Sequence, residues 1–205
     1  MGFSCIIITP PEKIKNEIRI VTELFENGLQ HFHLRKPGYT SAELKAYIEK
    51  IPIRYHKYIV IHSHYKLIKE YGIKGIHLTE KAKKTSSVIA FIKGLKNKDI
   101  SASFHSLDEL KRSRKKYDSV FLSPVFESIS KKGLSSGFTQ ELLKREIPIL
   151  TKKNKLIALG GVHDKNVGRA KELGFDGIAV LGYIWESREP VVRFLRLQKA
   201  LHTIR

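Results

Sequence analysis

The stretch Leu156-Ile157-Ala158-Leu159-Gly160-Gly161-Val162 decides the fold, together with the later stretch Gly177-Ile178-Ala179-Val180-Leu181-Gly182. Each is a short apolar run that ends in small residues, which is typical of a buried parallel strand meeting a loop. Paired glycines let the backbone approach a ligand closely, and a helix that starts there points its positive end at the same spot. The alternative is two ordinary buried strands whose glycines serve only tight turns. In an eight-stranded β/α barrel, however, the loops after strands seven and eight commonly bind phosphate. We therefore predict phosphate contacts at Gly160, Gly161, Val180, Leu181 and Gly182.

Strand-like runs alternate with amphipathic, helix-like runs along the whole chain. We predict strands near residues 3–9, 30–35, 57–62, 75–78, 99–104, 119–122, 155–159 and 176–181. Eight strand–helix units predict an α/β fold, a (β/α)8 TIM barrel, formed as a single domain over residues 1–205. An open doubly wound sheet is the alternative, but no G-x-G-x-x-G follows the first strand.

A repeat of 44 residues supports the barrel. Leu34, Leu78 and Leu122 are each 44 residues apart, and each is preceded by an aromatic or imidazole ring. Those preceding residues are His33, His77 and Phe121. Two strand–helix units in this length make a compact barrel repeat. The next step, to Val180, is longer, and much of the excess falls in residues 123–137. We expect this loop after strand six to be mobile and functional.

The formal net charge of +18 over 205 residues needs an interpretation. Lys and Arg, including Arg193, are spread over nearly every predicted helix and are not interleaved with aromatic residues as in a nucleic-acid site. We interpret them as a solvated basic surface that attracts an anionic substrate. No apolar run reaches the ~18–20 residues of a membrane span, no secretory signal is visible, and the single Cys5 cannot form an internal disulfide. We therefore expect a cytoplasmic protein that binds a small-molecule phosphate and neither nucleic acid nor membrane; homo-oligomerisation stays open.

A group of basic residues stands at or just after the predicted strands: His33, Arg35, His62, His64, His77, His105 and His163. The carboxyl ends of barrel strands face one cavity, so several imidazoles there favour acid–base chemistry near neutral pH. The loop after strand six adds hydroxyl and ammonium groups that suit a phosphate, although a plain solvated loop is the alternative. Its candidate substrate-binding residues are Ser128, Ser130 and Lys131.

Two His-x-His pairs, His31 with His33 and His62 with His64, resemble metal-ligand pairs, because alternate residues share one face of a strand. No Asp or Glu stands at these strand ends to complete a carboxylate-containing site, and Mg²⁺ in particular prefers oxygen ligands. We therefore predict no metal site and expect no cofactor.

With these residues in view, the chain resembles the thiamin phosphate synthase superfamily over essentially its full length. The matching segments are Phe32-His33-Leu34-Arg35, Gly75-Ile76-His77-Leu78, residues 101–109, Ser123-Pro124-Val125-Phe126-Glu127-Ser128, residues 158–162 and Asp176-Gly177-Ile178-Ala179-Val180. The resemblance implies a (β/α)8 barrel that binds a thiazole phosphate, with the phosphate near Gly160, Gly161 and residues 180–182.

The chain departs from the synthase pattern at three places. The synthase joins thiazole phosphate to hydroxymethylpyrimidine diphosphate with Mg²⁺, and the family expects Asn-Asp after strand three, where this chain has His62-Ser63. An Asp is expected near Ala82, and Gln-x-Arg-x-Lys is expected where this chain has His33-x-Arg35-x-Pro37. Without those carboxylates nothing obvious holds the ion that would neutralise a departing diphosphate. Mg²⁺ is expected only if this chain is nevertheless a synthase.

The chain is more similar to the thiazole tautomerase branch of the superfamily. It carries His-x-Arg at strand two, Ser-x-His-Ser-Leu-x-Glu from Ser103, and Val-Phe-Glu-Ser followed by Lys-Lys-Gly-Leu after strand six. That branch aromatises a carboxythiazole phosphate by moving a proton, without a metal. The resemblance thus predicts an isomerase, with the Mg²⁺-dependent synthase and a non-catalytic regulator that binds a thiamin precursor as alternatives.

The proton carrier is predicted to be His105, because one imidazole can remove a proton and return it elsewhere on the same ligand. His33 and His77 are reserve candidates that would otherwise orient the ligand's carboxylate with Arg35, and Ser103 is a further substrate-binding candidate. The plain alternative for His105 is that it only caps the helix that follows.

Overall fold

A computed structural model describes residues 2–127 and 137–203, and its eight parallel strands close into a barrel in sequence order. The strands are β1 (Ser4–Ile8), β2 (Phe32–Leu34), β3 (Ile59–Ile61), β4 (Gly75–Leu78), β5 (Asp99–Phe104), β6 (Ser119–Leu122), β7 (Leu156–Leu159) and β8 (Gly177–Val180). Each lies within its predicted run, and β8 pairs with both β7 and β1. The predicted TIM barrel is confirmed, and the open-sheet alternative is wrong because the first and last strands pair.

Helices cover the outside of the barrel. They are α1 (Glu17–Glu26), α2 (Ser41–Glu49), α3 (Glu80–Lys84), α4 (Ser86–Lys93), α5 (Leu107–Arg112), α6 (Gln140–Leu150), α7 (Val167–Glu172), α8 (Gly182–Trp185) and α9 (Pro190–Thr203). The apolar stripe of α1 packs inward through Val21, Leu24 and Phe25. The sequence predicts a helix after every strand, but β3 is followed only by a short 3-10 helix, Tyr65–Lys69, because few residues separate β3 from β4. None of the described helices is long and apolar enough to cross a membrane.

The 44-residue repeat places equivalent residues in equivalent layers. Leu34, Leu78 and Leu122 are the last residues of β2, β4 and β6, and all three are buried. Side chains alternate between the two faces of a strand, so the residue before each leucine faces the opposite way, into the barrel. Alternate strands of a TIM barrel supply one layer of its interior. The ring layer of this barrel is therefore built from His33, His77 and Phe121.

The predicted loop over residues 123–137 lies mostly outside the described residues. Its three substrate-binding candidates, Ser128, Ser130 and Lys131, lie outside them as well.

Candidate active site

His105 directly follows β5 and is held by a backbone carbonyl. Its Nδ1 lies 2.9 Å from the carbonyl oxygen of Ser123. A carbonyl oxygen can only accept, so Nδ1 carries the proton and the lone pair of the neutral ring is on Nε2. The side chain that caps α5 belongs to Ser106, whose hydroxyl accepts from the backbone N–H of Glu109. The capping alternative for His105 is therefore wrong, and its Nε2 has no hydrogen-bond partner among the residues that the structure describes.

His105 lines a cavity of about 370 Å³ at the carboxyl ends of the strands. Four of the predicted site residues meet there with Leu181, namely Arg35, His77, Ser103 and His105. The sequence assigned no role in the site to five other residues of its wall, which are Ile8, Thr79, Glu80, Phe121 and Leu159. His62 also lines the cavity and was named only as a strand-end histidine. His33 belongs to the same ring layer as His77 and Phe121 but does not line this cavity; it is 3% exposed and lines a small cavity with His31. The structure thus brings four of the seven strand-end basic residues to one cavity, namely Arg35, His62, His77 and His105.

His77 is fixed by two serines of β5. Its Nδ1 is 2.9 Å from Ser101 Oγ and its Nε2 is 2.7 Å from Ser103 Oγ. The Ser101 hydroxyl donates its one hydrogen to the Ile76 carbonyl, so it must accept from Nδ1–H. Nε2 of His77 consequently accepts from Ser103 and carries the lone pair. Burial lowers the pKa of His77 to about 3, and the charges of Lys83 and Arg35 act in the same direction.

His33 and His62 complete a cluster of imidazoles with His77. Nδ1 of His33 lies 3.0 Å from Nε2 of His62, and the rings of His62 and His77 stack with centroids 4.3 Å apart. Burial, followed by the neighbouring imidazoles, holds the pKa of both His33 and His62 well below the usual range. One ring nitrogen from each of the three residues lies within 4.8 Å of the others.

The two His-x-His pairs suggested by the sequence do not form sites. His31 Nδ1 lies 3.0 Å from Lys74 Nζ, and both residues line a small cavity with Asp99 and Asp118. His64 Nε2 lies 2.7 Å from the carbonyl oxygen of Tyr39. Residues two apart on a strand are separated by roughly 6.6 Å along it, so they belong to different layers of the barrel. The histidines instead meet across neighbouring strands.

The His105 cavity does not fit Mg²⁺. Among the described residues that line it, Glu80 is the one carboxylate, and its Oε1 lies 2.7 Å from Lys83 Nζ. Lys83 also binds Glu109 and the Ser103 carbonyl, at 3.0 and 2.7 Å. Mg²⁺ requires near-octahedral oxygen ligands, whereas this wall supplies imidazoles and the guanidinium of Arg35. The contacts of Lys83 with Ser103 and Glu109 could not be predicted from the sequence, because these partners are 20 and 26 positions away in the chain.

A second cavity, of about 660 Å³, is lined by all five predicted phosphate-binding residues, and we call it the glycine cavity. Gly160 and Gly161 have positive φ angles of 92° and 65°. A Cβ on Gly161 would lie 2.2 Å from the Glu127 carbonyl oxygen, so glycine is needed for close packing as well as for the turn. The attraction of a phosphate by helix N-termini is weaker here than the sequence predicts, because α8 has only four residues and α7 begins well after Gly161.

Basic groups that the sequence did not single out for this site also line the glycine cavity. Arg193 from α9 lies over the Tyr183 ring at 5.0 Å, and Lys165 is on the same wall. His163, one of the strand-end basic residues, lines this cavity too. The interpretation of Arg193 as part of the solvated surface was therefore incomplete, because a helical charge pattern does not show which charges face a cavity. Asp164 and Glu186 also contribute to the wall.

The two cavities adjoin, because Leu159 and Leu181 line both. One end of the combined site offers glycine backbone and cations, and the other offers neutral imidazoles and Arg35. Such a site can hold a small ligand that has an anionic group at one end and a ring that exchanges a proton at the other.

Comparison with known proteins agrees with this arrangement. Residues 5–184 match the family model described as thiamine monophosphate synthase. The thiamine-phosphate synthase of Listeria welshimeri is 25% identical over 174 residues, covering 80% of this chain and 82% of that protein. The corresponding protein of Staphylococcus saprophyticus is 25% identical over 177 residues, covering 83% and 82%.

Two solved structures share the fold. The thiamine phosphate pyrophosphorylase of Bacteroides thetaiotaomicron has a TM-score of 0.80 and 30% identity over the whole of both chains. The enzyme of that name from Pyrococcus furiosus has a TM-score of 0.78 at 18% identity, covering 98% of this chain and 96% of that one, and supports the fold alone. Since the family model spans most of the chain and the fold agrees along its full length, the protein belongs to the thiamine monophosphate synthase family.

Proposed function

We propose that this chain is a thiazole tautomerase of thiamin biosynthesis, which aromatises a carboxythiazole phosphate by moving one proton. The single observation that carries this proposal is the hydrogen bond from His105 Nδ1 to the Ser123 carbonyl. It leaves Nε2 as the basic atom of a ring that lines the cavity beside Arg35 and His77.

In this reaction, His105 Nε2 removes a proton from one position of the thiazole ring. The ring electrons rearrange to the aromatic form, and the imidazolium returns the same proton to a second carbon of the same ligand. Nothing is oxidised and no proton is gained overall. General acid–base catalysis of this kind contributes typically ~10²–10⁴-fold to a rate. His77 cannot be the acid near neutral pH, since burial lowers its pKa to about 3.

The remaining residues bind and orient the ligand. The phosphate would lie at Gly160, Gly161 and Gly182, with Arg193 on the same wall. The ligand's carboxylate would bind the guanidinium of Arg35, and His77 and Ser103 would form the polar surface on which the ligand lies. His33 does not line the cavity and would act by positioning His62, whose Nε2 lies 3.0 Å from its Nδ1.

The second candidate is thiamine-phosphate synthesis, the condensation of thiazole phosphate with a pyrimidine diphosphate. The observation that favours it is that the relatives compared above are named thiamine-phosphate synthases or thiamine phosphate pyrophosphorylases. Against it stands the donor set of the His105 cavity, where Glu80 is bound by Lys83. The names of relatives at about 25% identity identify the family, whereas the side chains in the cavity bear on the reaction.

One pair of assays separates the two. The purified chain is incubated with unrearranged carboxythiazole phosphate in chelator, and aromatisation is followed by ultraviolet absorption or NMR. In parallel, it is incubated with thiazole phosphate, hydroxymethylpyrimidine diphosphate and Mg²⁺, and diphosphate release is measured. We expect turnover in the first assay only. Diphosphate release without aromatisation would establish the synthase, and binding of thiazole phosphate with no turnover in either assay would establish a regulator.

A further inference from the structure

The cluster of His33, His62 and His77 has properties that proton transfer at His105 does not use. The three rings come from β2, the end of β3 and β4, and their side chains are nearly inaccessible to water. Barrel interiors are usually filled by branched aliphatic side chains, so three imidazoles in mutual contact are a costly choice for packing alone.

The donor atoms of the cluster are already close to a metal-binding arrangement. A tetrahedral zinc site with Zn–N distances near 2.0–2.1 Å places its nitrogens roughly 3.3 Å apart. The His33 Nδ1 to His62 Nε2 distance is 3.0 Å, and each of the three residues has one ring nitrogen within 4.8 Å of a ring nitrogen of the other two. Shortening the longer separations by up to about 1.5 Å would therefore bring all three nitrogens onto one ion.

The protonation pattern of the cluster suits a cation. Neutral imidazole is the form that coordinates metals, and His77 carries its lone pair on Nε2 because Ser101 accepts from its Nδ1–H. In the metal-free chain that lone pair accepts from the Ser103 hydroxyl at 2.7 Å, so the hydroxyl has to rotate away when the ion binds. Metal-bound histidines commonly donate their other ring N–H to such an oxygen. Between His33 and His62, an ion would replace the shared hydrogen, which moves to the second nitrogen of the same ring. No proton leaves the protein in this exchange.

We propose that His33, His62 and His77 form a binding site for one borderline transition-metal cation of the Zn²⁺ and Co²⁺ class. Three imidazoles are a sufficient protein ligand set for Zn²⁺, whereas hard cations such as Mg²⁺ require oxygen ligands. His62 and His77 also line the His105 cavity, so the fourth position of the ion faces that cavity. The lack of carboxylates at the strand ends excludes a carboxylate-containing site, but it does not count against a site made of nitrogen donors alone.

This site is independent of the proposed tautomerisation, which is assayed in the presence of chelator. The test of the site uses the whole, chelator-treated chain titrated with Co²⁺, followed by visible absorption. We expect one equivalent to bind with the intense bands of four- or five-coordinate Co²⁺, and Zn²⁺ to displace it. His62→Gln and His77→Gln should each weaken Co²⁺ binding by at least ~10–100-fold, which is the loss when a residue hydrogen-bonded to a metal ligand is replaced. His31→Gln, which lies outside the cluster, is the matched control and should bind like the wild type.

Spectra that stay weak and octahedral would overturn the proposal, as would wild-type affinity in both cluster variants. If either variant fails to fold by circular dichroism, the wild type decides the question through imidazole ¹⁵N NMR. Zn²⁺ should then shift the ring nitrogens of the three cluster histidines and leave those of His56 and His202 unchanged. Shifts confined to other histidines would refute the site.

Discussion

His33 and His77 are 44 residues apart in the chain, and their ring centroids lie 5.5 Å apart inside the barrel. Phe121, a further 44 residues on, contacts both rings, at 5.0 and 4.7 Å. The three rings occupy the same position on β2, β4 and β6, and alternate strands of a barrel build one layer. The layer beneath the candidate active site is therefore partly polar. Its imidazoles remain neutral because the surrounding core excludes water from them.

This burial predicts a dependence of stability on pH. The pKa of His77 is about 3 in the folded chain against about 6.5 when exposed. Below about pH 6.5 the unfolded chain takes up a proton that the folded chain does not, so stability falls as the pH falls towards about 3. At pH 5 the loss from this residue is about 2 kcal/mol. The charged and titratable groups around it are Arg35, Lys83, His33 and His62.

The measurement is urea unfolding of the chelator-treated protein at about pH 7.5 and pH 5. His77→Gln retains hydrogen-bonding groups for the two serines but cannot take up the proton. The variant should therefore lose less stability between the two pH values than the wild type does. Equal losses in the two proteins would show that His77 does not have the depressed pKa.

His105→Asn should abolish most of the tautomerase activity. Asparagine can still donate to the Ser123 carbonyl, but it cannot carry the proton, so kcat should fall by ~10²–10⁴-fold with little change in ligand affinity. His64→Asn is the matched control. It makes the same substitution at a residue with φ of 50°, a conformation that Asn tolerates. A His105→Asn enzyme with wild-type kcat would remove His105 from the mechanism.

Gly182→Asp tests the position of the phosphate. A Cβ there would lie 2.8 Å from Glu186 Oε1, the far end of a flexible side chain, so the fold should tolerate it. The added carboxylate would repel the phosphate, and affinity for thiazole phosphate should fall by about tenfold or more. Affinity for the unphosphorylated alcohol should change little. Gly161 is unsuitable for this test, because a side chain there would collide with the Glu127 carbonyl.

Gly72→Asp supplies the control for the added charge, since a Cβ at Gly72 meets nothing within 4 Å. Both variants should unfold at similar urea concentrations. Equal weakening of the phosphate and the alcohol in Gly182→Asp would mean that the glycine cavity does not hold the phosphate.

The sequence predicted those parts of the structure that follow from local pattern. Apolar runs gave all eight strands, and the register of Leu34, Leu78 and Leu122 gave their layers. Position at a strand end was enough to bring Arg35, His77 and His105 to one cavity, because barrel geometry alone determines it.

Contacts between charged residues that are distant in sequence could not be predicted in this way. Lys83 binds Glu109 across 26 positions, and Arg193 reaches the glycine cavity from the last helix. In the sequence both look like ordinary helical surface charges. The histidine cluster was missed for a related reason. Its members lie on three strands, whereas the pairs that drew attention lay along single strands.

Lys36 is the clearest example of a charge whose burial the sequence conceals. The residue is 1% exposed, and its Nζ lies 2.7 Å from Glu17 Oε2 and 2.6 Å from the Glu12 carbonyl oxygen. The other oxygen of Glu17 accepts from the Tyr47 hydroxyl at 2.8 Å. Lys36→Met would leave the Glu17 carboxylate buried without its cation, which should destabilise the fold by about 3–5 kcal/mol in urea unfolding.

The matched control for Lys36→Met is Lys45→Met. Lys45 also pairs with a carboxylate, that of Glu70 at 3.4 Å, but both side chains are about half exposed. Its loss should change the free energy of unfolding by no more than about 1 kcal/mol. Adding Glu17→Gln to Lys36→Met should restore part of the stability, because the neutral amide is less costly to bury than the unpaired carboxylate. A Lys36→Met variant no less stable than Lys45→Met would show that the buried pair does not hold α1 against the barrel.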